Sequence, residues 1–156
     1  MTASQQELDC LRVYQSLKQV VSTMVENFDC DDETYTITFS VTGKPFDVVF
    51  KMTTHLSSQL LTVYSKLGFV VEEPYRAAYA TNVARLNYDR MFSGTFDFSP
   101  EKGFTVFRIG VPYEKSLLSR ELLESIIRMT HDNVVKYAPY LYDIARGIEA
   151  CLPPEN

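Results

Sequence analysis

This chain has few of the residues and patterns that carry chemistry, and each shortage removes a class of function. Its three cysteines, Cys10, Cys30 and Cys151, form neither an even disulfide framework nor a CxxC pair. That usage fits a reducing compartment, so the cytoplasm is the expected location. The two histidines, His55 and His131, lie far apart and lack HExxH spacing. His131 sits beside Asp132 on the expected outer face of a helix, which reads as a solvated pair. No GxSxG, P-loop or GxGxxG occurs, and the lone Gly43–Lys44 pair lacks the flanking residues of a phosphate cradle. Positive charge is also short: 15 Lys and Arg against 20 Asp and Glu leave a net charge of -5. That balance works against phosphate backbones and anionic lipids, so neither nucleic acid nor a membrane is an expected partner. Nothing approaches the roughly 18 to 20 apolar residues of a spanning helix, and the polar start from Met1 to Asp9 lacks a signal-peptide pattern. No catalytic, cofactor-binding or metal-binding residue is expected.

One cluster invites a metal reading and fails it. In the acidic run Asp29, Asp31, Asp32, Glu33, a calcium loop needs glycine at the sixth position and glutamate at the twelfth, where Thr34 and Ser40 stand. Local bonding by Asp side chains and repulsion between like charges make this run a solvated connection. Cys30, in the same run, has no obvious base beside it in sequence, which leaves a cysteine-dependent enzyme as the weakest reading.

What is present is a folding pattern. The 156 residues fit one domain over 1–150 with a tail over 151–156, long enough for a core without metal or disulfide support. Between Gln5 and Phe28, apolar residues at Cys10, Tyr14, Leu17, Val21, Met24 and Phe28 make one helical stripe. Tyr35, Ile37, Phe39 and Val41 then alternate with threonines and Ser40, which predicts a half-exposed strand. Gly43 and Lys44 turn the chain, with Gly43 supplying any positive φ, and Phe46, Val48, Phe50 and Met52 resume the alternation after Pro45. A third strand within Ser58 to Val71, with a bulge or bend at Gly68, completes an antiparallel meander.

The stretch from Glu72 to Pro112 organises the rest. Pro74 suits a first helical position, and Tyr75, Ala78, Tyr79, Asn82, Val83 and Leu86 share the predicted buried face. A strand from Phe92 to Phe98, a turn from Ser99 to Gly103 and a strand from Phe104 to Val111 make a second hairpin. Ser119 then caps a long third helix with a stripe from Leu122 to Ala145, which Pro139 should bend or break near Val135 to Ala138. Gly147 suits its end. The fold class is therefore α+β: a five-stranded antiparallel sheet with three helices, in the order α-βββ-α-ββ-α.

Candidate contact residues fall in two places. Arg76, Arg85, Tyr88 and Arg90 accompany helix two, and exposed Arg and Tyr are typical of protein interfaces. Val49, Phe104 and Val106 fall on the sheet face that also carries Thr36, Thr38, Ser40, Asp47 and Lys51. Asn82 and Asn87 read as buried amides satisfied by backbone, or as contacts that fix a partner's register.

Four segments carry a family resemblance: LLTVYS at Leu60–Ser65, NVARLN at Asn82–Asn87 with Tyr88, GTFDFSPEKG at Gly94–Gly103, and Tyr137–Ala138–Pro139 ahead of Gly147. Together they resemble the YbjN-type bacterial sensory-transduction-regulator family, whose fold is similar to that of type III secretion chaperones. The resemblance spans Leu60 to Gly147 and departs between Arg108 and Ser119, where Val111, Pro112, Tyr113 and Glu114 replace a more acidic, glycine-containing connection. It implies a non-enzymatic domain, commonly dimeric, that acts through protein contacts at a strand edge or on the sheet face. The leading expectation is thus a homodimeric protein-binding module, chaperone-like or a regulatory adaptor. The alternative is a small-ligand sensor with a pocket among its ten Phe and ten Tyr.

Overall fold

The computed structural model describes residues 4–114 and 118–155. Met1 at the start, Asn156 at the end of the tail and part of the Arg108–Ser119 connection lie outside the described residues. Helix α1 (Gln5–Met24) opens with a capping box: the Ser4 hydroxyl accepts from the Glu7 N–H while the Glu7 carboxylate accepts from the Ser4 N–H. Six strands follow: β1 (Asp29–Asp31), β2 (Thr36–Val41), β3 (Val48–His55), β4 (Leu60–Val70), β5 (Thr95–Phe98) and β6 (Phe104–Pro112). Helix α2 (Arg76–Arg90), entered through a 3₁₀ turn at Glu73–Tyr75, lies between β4 and β5, and α3 (Arg120–Ala145) follows β6. The strands form one antiparallel sheet in the order β1-β2-β3-β4-β6-β5.

The sheet has six strands where five are expected, and the extra one is the acidic run. Asp31 Oδ1 accepts from the N–H groups of Glu33 and Thr34 at 3.0 and 3.1 Å, and Tyr35 takes φ 51°. Those bonds close a turn tight enough for Asp29–Asp31 to pair with Thr36–Thr38. The local bonding read as favouring a loop instead builds a hairpin, and the charges stay solvated because β1 is an exposed edge.

The helices cover one face of the sheet. Leu17 and Val21 of α1, Tyr79 and Leu86 of α2, and Leu123 and Leu141 of α3 share a core with Ile37, Met52, Leu61, Val63 and Phe107. The Tyr79 hydroxyl meets the buried Thr105 hydroxyl at 2.6 Å, which ties α2 to β6. Gly68 lies where the β4–β6 register shifts between Lys66 and Val70, as expected for a bulge.

Five local expectations are corrected. Helix α3 runs unbroken through Pro139, which forfeits a single bond, the one to the carbonyl of Val135, a residue 59% exposed. Tyr75 and Ala78 are exposed, since the α-helix begins only at Arg76 and its buried face is Tyr79, Val83 and Leu86. Leu122, in the first turn of α3, is also exposed, one step off the stripe through Leu123, Ile126 and Ile127. Phe92 is 97% exposed, because Gly94 turns the chain at φ 77° and β5 starts only at Thr95. Gly43 does not adopt positive φ; its turn closes through its N–H to the Asp47 carboxylate at 3.0 Å.

Candidate protein interface

The face of the sheet away from the helices follows from strand alternation and register. One cross-strand row reads Ser40, Val49, Lys66, Val106, Asp97; the next reads Thr38, Lys51, Tyr64, Arg108, Thr95. Val49 and Val106 therefore flank Lys66 from either side, and Lys66 Nζ sits 3.9 Å above the Phe104 ring. The three sheet residues singled out in the sequence come together around one lysine. Arg108 and Asp97 close the far end with a 2.8 Å ion pair.

The four helix-two residues separate into two kinds. Arg76 is a structural clamp: Nε donates to the Val71 carbonyl, and Nη1 donates to the carbonyls of Pro100 and Glu101, each at 2.9 Å. Arg90 pairs with Glu155 at 2.8 Å and reaches the Pro153 carbonyl at 3.5 Å. Arg85 and Tyr88 face solvent, Tyr88 at 92% exposure with Phe92 four residues on. These two aromatics form the most exposed apolar pair among the described residues.

The sheet edges were not distinguished by sequence reading. At one edge the Asn87 side chain pairs with β5: Nδ2 donates to the Phe96 carbonyl at 2.8 Å and Oδ1 accepts from its N–H at 2.9 Å. The amide thereby stands in for a neighbouring strand. At the other edge, β1 covers β2 only as far as Thr38. The Thr54 N–H donates to the Tyr35 carbonyl, so odd-numbered residues of β2 face β3 and the even-numbered Thr36, Thr38 and Ser40 face outward. Ser40 lies beyond β1 with no strand beside it. A groove of about 470 Å³ lined by Glu26, Phe28, Asp29, Thr38, Phe39 and Ser40 runs along this gap.

The acidic hairpin beside it is held firmly. Asp32 accepts from Lys18 Nζ at 2.8 Å and from the Tyr14 hydroxyl at 2.7 Å. Those two bonds, the Lys18 one foremost, keep its carboxyl below the usual carboxylate range. Burial and the bond to Asp32 push the Tyr14 phenol up. Cys30 is exposed on β1 and Cys10 is buried, where burial raises its thiol. His131 Nδ1 meets Asp132 at 3.1 Å on an exposed helix face. Asn82 donates to the Ala78 carbonyl and accepts from the Tyr140 hydroxyl, so both asparagines are satisfied within the fold.

No protein-family model matches the chain, and no curated protein is similar to it in sequence. Solved structures are similar in fold. One is YbjN from E. coli, with a TM-score of 0.58 at 11% identity over 90% of this chain and 95% of that one. The chain has the fold of YbjN. The structure of the ExsC–ExsE complex aligns equally well, at TM-score 0.58 and 14% identity over 83% of this chain and 93% of that one. The HopA1–SchA chaperone–effector complex is more distant, at TM-score 0.46 and 12% identity over 90% of this chain and 94% of that one. Identities this low fix the architecture and leave function to the site. Among the described residues no helix is long and apolar enough to cross a membrane, and no group of three metal-ligating side chains converges.

Proposed function

We propose that this chain is a non-enzymatic protein-binding module, a chaperone-like or regulatory adaptor, that takes up an extended partner segment at the open edge of β2. The observation that carries the reading is the difference between the edges: Asn87 occupies the outward groups of Phe96 in the middle of one, and Ser40 stands unpaired beside a groove at the other. Main-chain bonds to Ser40 supply affinity, and Phe28 and Phe39 supply an apolar wall for alternate side chains of the added strand. The fold is shared with a structure described as a two-protein complex, which supports the same reading. Val49, Phe104 and Val106 around Lys66 form a second contact area on the open face, and Tyr88 with Phe92 forms the homodimer surface of a cytoplasmic protein.

The test is capture with an amino-terminally tagged bait, comparing wild type with Ser40→Pro. Proline at an outward-facing position removes the edge donor without touching the β2–β3 ladder. A stoichiometric partner retained by wild type and lost by Ser40→Pro supports the reading; a partner retained equally by both overturns the edge assignment. Light scattering addresses the dimer separately: Tyr88→Ala with Phe92→Ser is expected to give monomer, and a wild type already monomeric across the concentration range removes the dimer.

A further inference from the structure

The residues after α3 are more than a loose tail. Gly147, at φ 71°, ends the helix with its N–H on the Ile144 carbonyl, while the Ile148 N–H reaches the Asp143 carbonyl. The Tyr75 ring packs directly on Gly147 where any Cβ would sit, so the chain leaves beside the start of α2. From there it follows α2 along its length. Residues 147–150 form one wall of a cleft of about 340 Å³ whose other wall is Tyr75, Ala78, Asn82 and Arg85, and Pro153 and Glu155 reach Arg90.

This segment is seated as a ligand is seated. Ala150 and Leu152 are partly buried against the core, Pro153 and Pro154 have no N–H to give, and Glu155 is anchored by one exposed ion pair. After Ile148, no backbone N–H of the described segment bonds to the fold. The segment also leaves the groove incompletely used, for Arg85 lines it and makes no ion pair among the described residues.

We infer that the groove along α2 is a second protein-binding site, and that residues 148–155 are its built-in competitor. Its partner is an extended segment with an apolar residue three positions before a carboxylate, the spacing of Leu152 and Glu155, and with a further acidic residue for Arg85. Prolines between the two anchors favour such an extended form. This site is separate from the β2 edge, and its occupancy is set by competition with the strap.

The test uses the full chain, under reducing conditions, and a fluorescent peptide of residues 147–155. Wild type is expected to bind the peptide weakly, because only molecules with a displaced strap are competent. Leu152→Asp with Glu155→Lys removes both anchors of the strap on α2 and is expected to tighten peptide binding about tenfold or more, in proportion to the competent fraction. Arg90→Glu, added to that double variant, should abolish binding, and a peptide with Lys in place of Glu155 should restore it. Glu155→Lys alone leaves Leu152 seated and serves if the double variant does not fold; it should give a smaller gain. Peptide binding unchanged by strap release overturns the proposal, as does a gain insensitive to Arg90. Ser40→Pro should leave peptide binding unmoved, and loss of binding in that variant would place the peptide at the β2 edge instead.

Discussion

The two edges of the sheet solve the same problem in opposite ways. A strand edge exposes N–H and C=O groups that invite pairing with another chain. At β5 the Asn87 amide takes both groups of Phe96, so the middle of that edge is closed within the fold, while Phe98 beside it also faces outward. At β2 the covering strand is three residues long, stops at Thr38, and leaves Ser40 open. One edge is plugged at its middle by a side chain and the other is partly covered by backbone. The difference teaches that an edge is read from who bonds its main chain, and not from strand length or polarity.

The largest break in this comparison is expected from Asn87→Ala. Removing the amide leaves the Phe96 N–H and C=O without partners in a partly buried place, which costs about 2 kcal/mol. Urea denaturation should show the loss, and light scattering should show new self-association through the unsealed edge. A variant as stable and as soluble as wild type would mean that water replaces the amide freely. Ser40→Pro probes the other edge and should change stability by less than about 1 kcal/mol, since the lost N–H faces outward. A larger loss in thermal unfolding would mean that Ser40 bonds within the fold after all.

The smallest effect concerns the anchor of β1. Lys18 and Tyr14 stabilise the charged form of Asp32, so its folded pKa lies below its unfolded value. The stability this provides is full above the unfolded pKa, about 4, and is lost as pH falls through the depressed folded value. Asp32→Asn should therefore lower thermal stability slightly at neutral pH, and the gap from wild type should close in acid. A gap that stays constant from neutral to acid pH would assign the effect of the substitution to packing instead of charge.

Much of this architecture was legible because it rests on period. Alternation of Ile37 and Phe39 with threonines, the stripe from Cys10 to Val21, and the Gly68 bulge report burial and backbone directly. The contacts that define the candidate sites are different in kind. Asn87 meets Phe96 across nine positions and Arg90 meets Glu155 across 65, and no local spacing encodes either. The acidic run was misread because a bond that shapes a turn suits a loop and a hairpin equally; pairing with Thr36–Thr38 decides between them. Of the bend or break expected at Pro139, the break does not occur, since the one bond the proline forfeits falls at the exposed Val135.

Arg76 and Asn87 stand near the two ends of α2 and grip the same hairpin, Arg76 at the turn between β5 and β6 and Asn87 at the middle of β5. Two such fastenings make the helix and the hairpin one mechanical piece. Any load placed on α2, whether from a second copy at Tyr88 or from a segment in the groove beside Arg85, is passed to the β5–β6 hairpin without slack. Amide exchange should accordingly find the two opening together.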